Sequence, residues 1–177
     1  MSTTNANGIP KAPFVSTVED YVSSVEQVDA ILRQFQETIN KYKFMEVNIL
    51  KRTSGLRGKV PEIEGTLDMV AYLESEGSQG HDMETTFELN DTLYARAKIP
   101  PTTHVCLWLG ANVMLEYPTA EATELLQSKL EGATQSLAQC EEDLEFLREQ
   151  ITTMEVNTAR VYNWSVAQRR RKGEEGG

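Results

Sequence analysis

From Val18 onward, apolar residues recur at alternating intervals of three and four. With position a set at Val25, the a series runs Val25, Leu32, Ile39, Glu46, Thr53, Val60, Leu67. The d series then runs Val28, Phe35, Tyr42, Ile49, Leu56, Ile63, Val70. A period of about 3.5 residues held over seven heptads belongs to a left-handed coiled coil, because only under-winding keeps such a stripe on one seam. A second series follows Pro118: Leu126, Ala133, Cys140, Leu147, Met154, Val161 at d, and Leu130, Leu137, Leu144, Ile151, Thr158, Ser165 at a. Thr119 offers a cap, and Glu121 and Glu124 place negative charge in the first turn. Helices of roughly 50 residues are about 75 Å long, too thin to fold alone, so the two stripes are expected to zip together. The intervening positions are mostly polar and read as a solvated outer face.

One stretch of the first helix resists this pattern. Gly55, Gly58, Pro61 and Gly65 each weaken a helix, by about 1 kcal/mol per Gly and about 3 for Pro relative to Ala. Pro61 falls at position b, off the seam, so the repeat can cross a kink there. A break into two helices near Gly58 is the alternative. Gly55-Leu56-Arg57-Gly58-Lys59 resembles a phosphate-binding loop only superficially. It has two residues between the glycines where that loop has four, and Val60 stands where a magnesium-binding Ser or Thr is required.

Between Gly77 and Pro118 the period changes to two. Met83, Thr85, Phe87 and Leu89 alternate with polar residues, and Asn90-Asp91 offers a turn. Leu93, Ala95, Ala97 and Ile99 alternate again, ending at Pro100-Pro101. A second pair, Val105, Leu107, Leu109 and Val113, Leu115, Tyr117, flanks a turn at Gly110-Ala111-Asn112. These patterns predict two β-hairpins in tandem. Four short strands cannot cover both their faces, and open edges invite pairing with other chains. The expected subunit interface is therefore Phe87, Leu89, Leu93, Ile99, Val105, Leu107, Leu109, Val113 and Leu115, with Trp108 and Met114 adding bulk on the opposite face. The fold class is mainly α: a long antiparallel coiled-coil hairpin with two β-hairpins between its helices.

Charge and chemistry narrow the function classes. The 177 residues carry a net charge of −10 and a pI near 4.7, which disfavours nucleic acid or an anionic membrane as a partner of the whole molecule. The one basic cluster, Arg169 to Lys172, adjoins Glu174 and Glu175 and reads as a solvated tail. No apolar run reaches the ~18 residues needed to span a bilayer, and the N-terminus lacks a signal-peptide core. Cys106 and Cys140 then read as small buried hydrophobes in a reducing compartment. His81 and His104 have no Cys or carboxylate at ligand spacing, so no metal site, cofactor or enzyme activity is expected. The carboxylates Glu141-Glu142-Asp143 flank a seam and read as solvated face rather than acid–base machinery.

Certain words in the chain are more specific than its heptads. They are Tyr42-Lys43-Phe44-Met45-Glu46, Pro61-Glu62-Ile63, Pro100-Pro101, the run Val105 to Tyr117, Glu142 to Arg148, and Ala159 to Trp164. On these words, over roughly residues 18–166, the chain resembles the α-type subunits of the prefoldin family, whose mark is two hairpins rather than one. That resemblance implies a heterohexamer with one further α-type and four β-type subunits, hairpins joined into a β-barrel, and six projecting coiled coils. It further implies capture of unfolded polypeptides such as actin and tubulin without ATP, and their delivery to the cytosolic group II chaperonin. The implied location is the cytoplasm, with the nucleus as a second.

The expected organisation is a flexible N-terminal tail over 1–17, a first helix over 18–76, hairpins over 83–117, a second helix over 119–166 and a C-terminal tail over 167–177. The helix termini would meet at a tip, where Phe14, Val15, Tyr21, Val22, Tyr162, Trp164 and Val166, with Val25 and Val161 in the seam, are candidates to grip clients. A coiled-coil scaffold without client binding is the competing function. A nucleic-acid binder resting on the basic tail is a third.

Overall fold

The computed structural model describes residues 4–22, 24–80 and 82–174. His81, Glu175 and the side chain of Val25 lie outside the described residues. In chain order there are short 3-10 turns at Val18–Asp20 and Val25–Gln27, helix α1 at Val28–Gln79, strands β1 at Met83–Asn90, β2 at Leu93–Ile99, β3 at His104–Gly110 and β4 at Val113–Pro118, then helix α2 at Thr119–Glu174. The chain divides into two compact units, Met1–Ser54 with Ala138–Gly177, and Gly55–Leu137. Among the described residues no helix is long and apolar enough to cross a membrane.

In the first unit the seam follows the heptads. Phe35, Ile39 and Tyr42 of α1 bury with Leu147, Ile151, Met154 and Val161 of α2. The helices run antiparallel, as the cross-seam pairs Lys43–Glu155 and Glu46–Arg148, both 3.4 Å, require. These exposed pairs contribute little stability and mainly mark register.

The N-terminal segment is not the flexible tail that its polar start suggests. It lies along α2, and Ile9, Ala12, Val15, Val18 and Val22 are buried in the same core. Burial recurs every third residue from Ile9 to Val18, with the two residues between each pair exposed. Pro10 and Pro13 fix φ and bias their predecessors toward extended backbone, so this stretch stays out of helix. The segment starts at a tight turn, where Asn5 Oδ1 accepts from the amides of Asn7 and Ile9 at 3.1 and 2.8 Å. Gly8 sits there at φ 80, a conformation that suits glycine. Helix α1 consequently begins at Val28 rather than residue 18, because Val18 and Val22 serve this packed strap.

The glycine-rich stretch does not break α1. The helix runs through Gly55, Gly58, Pro61 and Gly65 as one element, and a proline off the seam removes one backbone hydrogen bond without disturbing seam packing. Helix α2 runs from Thr119 to Glu174.

The second unit holds both hairpins, each a separate two-stranded antiparallel sheet. Residues Ala111 and Asn112 at the β3–β4 turn have φ of 48 and 64, the paired positive values of the tight hairpin turns that match strand twist. Both hairpins shift register one residue before the turn, between Glu88 and Asn90 and between Trp108 and Gly110. The unit's core is Ile63, Val70, Leu107, Ala122 and Leu126, with Leu67, Val105, Leu109, Tyr117 and Leu130 packed against it. Gly77 stands close to the next loop: a Cβ there would lie 3.1 Å from the Thr102 carbonyl oxygen. Cys140 is buried as expected, but Cys106 is exposed. It follows an inward Val105 and precedes an inward Leu107, so strand alternation turns it outward.

Candidate functional site

Two surfaces carry the candidate residues, one in each unit. In the first unit, the seven tip residues separate. Val15 is 0% exposed and Val22 is buried, so neither is available to a ligand: both fill the gap between strap and helices. Trp164 and Val166 are half-buried, and the Trp164 indole donates to Glu19 Oε1 at 2.8 Å. Phe14, Tyr21 and Tyr162 are exposed, Tyr162 by 57%. Phe14 is held by the guanidinium of Arg160, 5.3 Å above its ring, a cation–π contact. The open aromatic set is therefore Phe14, Tyr21 and Tyr162, and their spacing on strap and helix is set by the buried valines beside them.

The strap is held by a ladder of polar side chains that the heptads alone did not reveal. Asp143 accepts from the side-chain amides of Asn5 and Asn7 at 2.8 and 2.6 Å. Gln150 Oε1 accepts from the Ala12 amide at 3.0 Å. Asn157 accepts from the Val15 amide at 2.9 Å and donates to the Pro13 carbonyl at 2.7 Å. With Trp164, these residues recur every seven positions, so they share one face of α2 beside the seam. Asp143, Gln150 and Asn157 are buried, which overturns the reading of Asp143 as solvated face. Seven residues of helix advance about 10.5 Å and three residues of extended chain about 10 Å. The step from Ala12 to Val15 therefore matches that from Gln150 to Asn157. The signal was present in the sequence as aliphatic residues at 9, 12, 15 and 18.

In the second unit the nine expected interface residues divide in the same way. Residues paired across strands point to the same face. Val105↔Tyr117 and Leu107↔Leu115 lie on one face and Trp108↔Met114 on the other. The helices cover the β3 part of the first face, where Leu107 is 8% exposed and Val105 and Leu109 are half-buried, while Leu115 on β4 stays exposed. Leu107 is therefore packed inside the single chain. A groove of about 740 Å³ remains on that side, lined by Leu56, Ile63, Leu107, Leu109, Leu126 and Ala133 among others. Trp108, 60% exposed, and Met114 face away from the helices. In the other hairpin Phe87 is 63% exposed, Leu89, Leu93 and Tyr94 are exposed, and Ile99 is half-buried. The exposed apolar set is thus Phe87, Leu89, Leu93, Tyr94, Trp108, Val113, Met114 and Leu115. Trp108 and Met114 belong with it although the dominant alternation passes over them.

Among the described residues no group of three or more His, Cys, Asp or Glu converges on a point. His104 Nδ1 lies 3.0 Å from the Thr103 hydroxyl on an exposed strand end.

The family described as "Prefoldin subunit" matches residues 42–164 of the chain. Prefoldin subunit 3 of Elsinoe fawcettii is 58% identical over 173 residues, covering 98% of this chain and 88% of that protein. Prefoldin subunit 3 of Homo sapiens is 49% identical over 164 residues, covering 92% and 83%, and that of Saccharomyces cerevisiae is 43% identical over 174 residues, covering 93% and 87%. Among solved structures, a filamentous prefoldin from Methanocaldococcus jannaschii superposes with a TM-score of 0.52 at 15% identity, over 68% of this chain and 98% of that one. At that identity the likeness is one of fold.

Proposed function

Because the chain belongs to the prefoldin family, as a chaperone subunit and not an enzyme, we propose that it serves as an α-type subunit of a heterohexamer with one further α-type and four β-type subunits. The complex captures unfolded polypeptides, actin and tubulin among them, in the cytoplasm and hands them to the group II chaperonin without ATP. The observation that carries this reading is the pair of hairpins with their apolar residues open, Phe87, Leu93, Trp108 and Met114 foremost. Isolated hairpins with so much exposed aromatic area are marginal in water, and edge pairing with neighbouring subunits covers it. Two hairpins rather than one support the α-type position. Client contact falls to Phe14, Tyr21 and Tyr162, each weak alone and effective when several arms engage together.

The test is co-expression with other prefoldin subunits, followed by the native mass of the complex and its suppression of aggregation of an unfolded protein. A hexamer that suppresses aggregation is expected. A stable monomer refutes the assembly. A hexamer without suppression leaves the coiled-coil scaffold as the function.

A further inference from the structure

In the middle of the strap, the hydrogen bonds from helix α2 go to its backbone. Over residues 12–16, Gln150 accepts the Ala12 amide proton, Asn157 grips the Val15 amide and the Pro13 carbonyl, and Arg160 Nη2 donates to the Ser16 carbonyl at 2.8 Å. Contacts to main-chain atoms carry no requirement for a particular side chain. Between residues 9 and 18 the buried side chains are the aliphatic Ile9, Ala12, Val15 and Val18 at every third position, with Phe14 adding a contact to the Arg160 guanidinium. Gln150 and Asn157 are buried, with the Gln150 oxygen and both amide atoms of Asn157 aimed at this segment, so the face is a built site for an extended chain. The strap in turn keeps two residues of every three exposed, so it is covered on one side only.

We propose that the α2 face formed by Gln150, Asn157 and Arg160 is a binding site for extended polypeptide, held at rest by the chain's own residues 9–18 and exchanged for an extended segment of an unfolded client with small aliphatic residues three apart. This rests on the reading that the complex captures unfolded polypeptide. An unfolded chain offers such segments with its backbone unpaired, whereas a folded protein has committed its amides and carbonyls to secondary structure. A tethered strap competes at high effective concentration, so the face opens to clients held at several points and stays closed to stray peptides. A strap that occupies the site nine-tenths of the time weakens client binding about tenfold.

The experiment uses the assembled complex with two strap-releasing variants that keep Phe14, Val15→Asp and Ala12→Asp, each with and without Asn157→Asp. Hydrogen exchange over residues 9–18 verifies release in both, and circular dichroism verifies that the helices persist. The probes are reduced, carboxymethylated lysozyme as a permanently unfolded polypeptide, and a fluorescent peptide of residues 8–20 added in trans. Strap release is expected to tighten binding of the unfolded protein about tenfold and to admit the peptide. Asn157→Asp, which turns the donor to Pro13 into an acceptor, is expected to abolish both gains. Capture that is identical in all variants, with no peptide binding, overturns the site and leaves the proposed function intact. Absence of capture in every form overturns both.

Discussion

Asn157 and Val15 are joined by a hydrogen bond that is buried at both ends, Asn157 Oδ1 accepting the Val15 amide proton at 2.9 Å. The same side chain donates to the Pro13 carbonyl, so one residue of α2 fixes both flanks of Phe14. Asn157→Ala leaves a buried amide and carbonyl without these partners, at a cost of about 1–3 kcal/mol per unsatisfied group. The expected outcome is local. Hydrogen–deuterium exchange should lose protection at the Val15 amide, while amides of α2 at the Leu147 level keep theirs. Unchanged protection at Val15 would show that the bond does not hold the strap.

Tyr42 links the strap to α1, its hydroxyl donating to the Pro10 carbonyl at 3.0 Å. Burial raises its pKa above the ordinary 10.0, because the phenolate is the form that burial penalises. The neutral form is thus favoured by the fold, and its contribution is complete below pH 10 and lost as the pH rises through 10 toward the folded value. Tyr42→Phe is expected to cost about 0.5–1.5 kcal/mol at neutral pH through the lost hydrogen bond. The gap to the parent should narrow between pH 9 and 11 in urea unfolding curves. A gap constant across that range would exclude Tyr42 as the source of alkaline sensitivity.

The heptads were readable because a seam imposes one period on two helices, and the d residues Cys140, Leu147, Met154 and Val161 are all buried. The strap was not readable by the same rule. Its period of three belongs to extended chain against a helix, and Asp143, Gln150 and Asn157 look like ordinary outer-face polar residues until something lies on them. The hairpins were legible as strands from their alternation. Which face the helices cover was not, since Leu107 and Trp108 are both large and apolar, and only the packing of Ile63 and Leu126 beneath β3 separates them.

Gly55 and Gly58 have nothing within 4 Å of where a Cβ would stand, and both lie in the interior of α1. Replacing either with Ala removes backbone freedom from the unfolded chain at no steric cost, a gain of about 0.5–1 kcal/mol each. Gly110 is the contrast, with φ 89 at the β3–β4 turn. Gly110→Ala is expected to destabilise by about 1 kcal/mol or more despite equally open surroundings. Thermal unfolding of the three single variants should raise the midpoint for the first two and lower it for the third.

Leu107 and Trp108 are neighbours on β3 whose truncation should have opposite consequences. Leu107 is buried in one cluster with Ile63, Val70, Ala122 and Leu126, so Leu107→Ala should destabilise the second unit by about 2–5 kcal/mol, the transfer term plus the cavity left behind. Trp108 packs outward and is exposed in the single chain, so Trp108→Ser should change the stability of the chain alone by less than about 0.5 kcal/mol. If the outward face joins a neighbouring subunit, that same change removes an interface anchor worth about 2 kcal/mol or more. Circular dichroism melts of the isolated chain and native mass of the co-expressed complex distinguish the two effects. A Trp108→Ser chain that assembles as fully as the parent would place the subunit contact on the helix-facing side, at the groove beside Leu109 and Ala133.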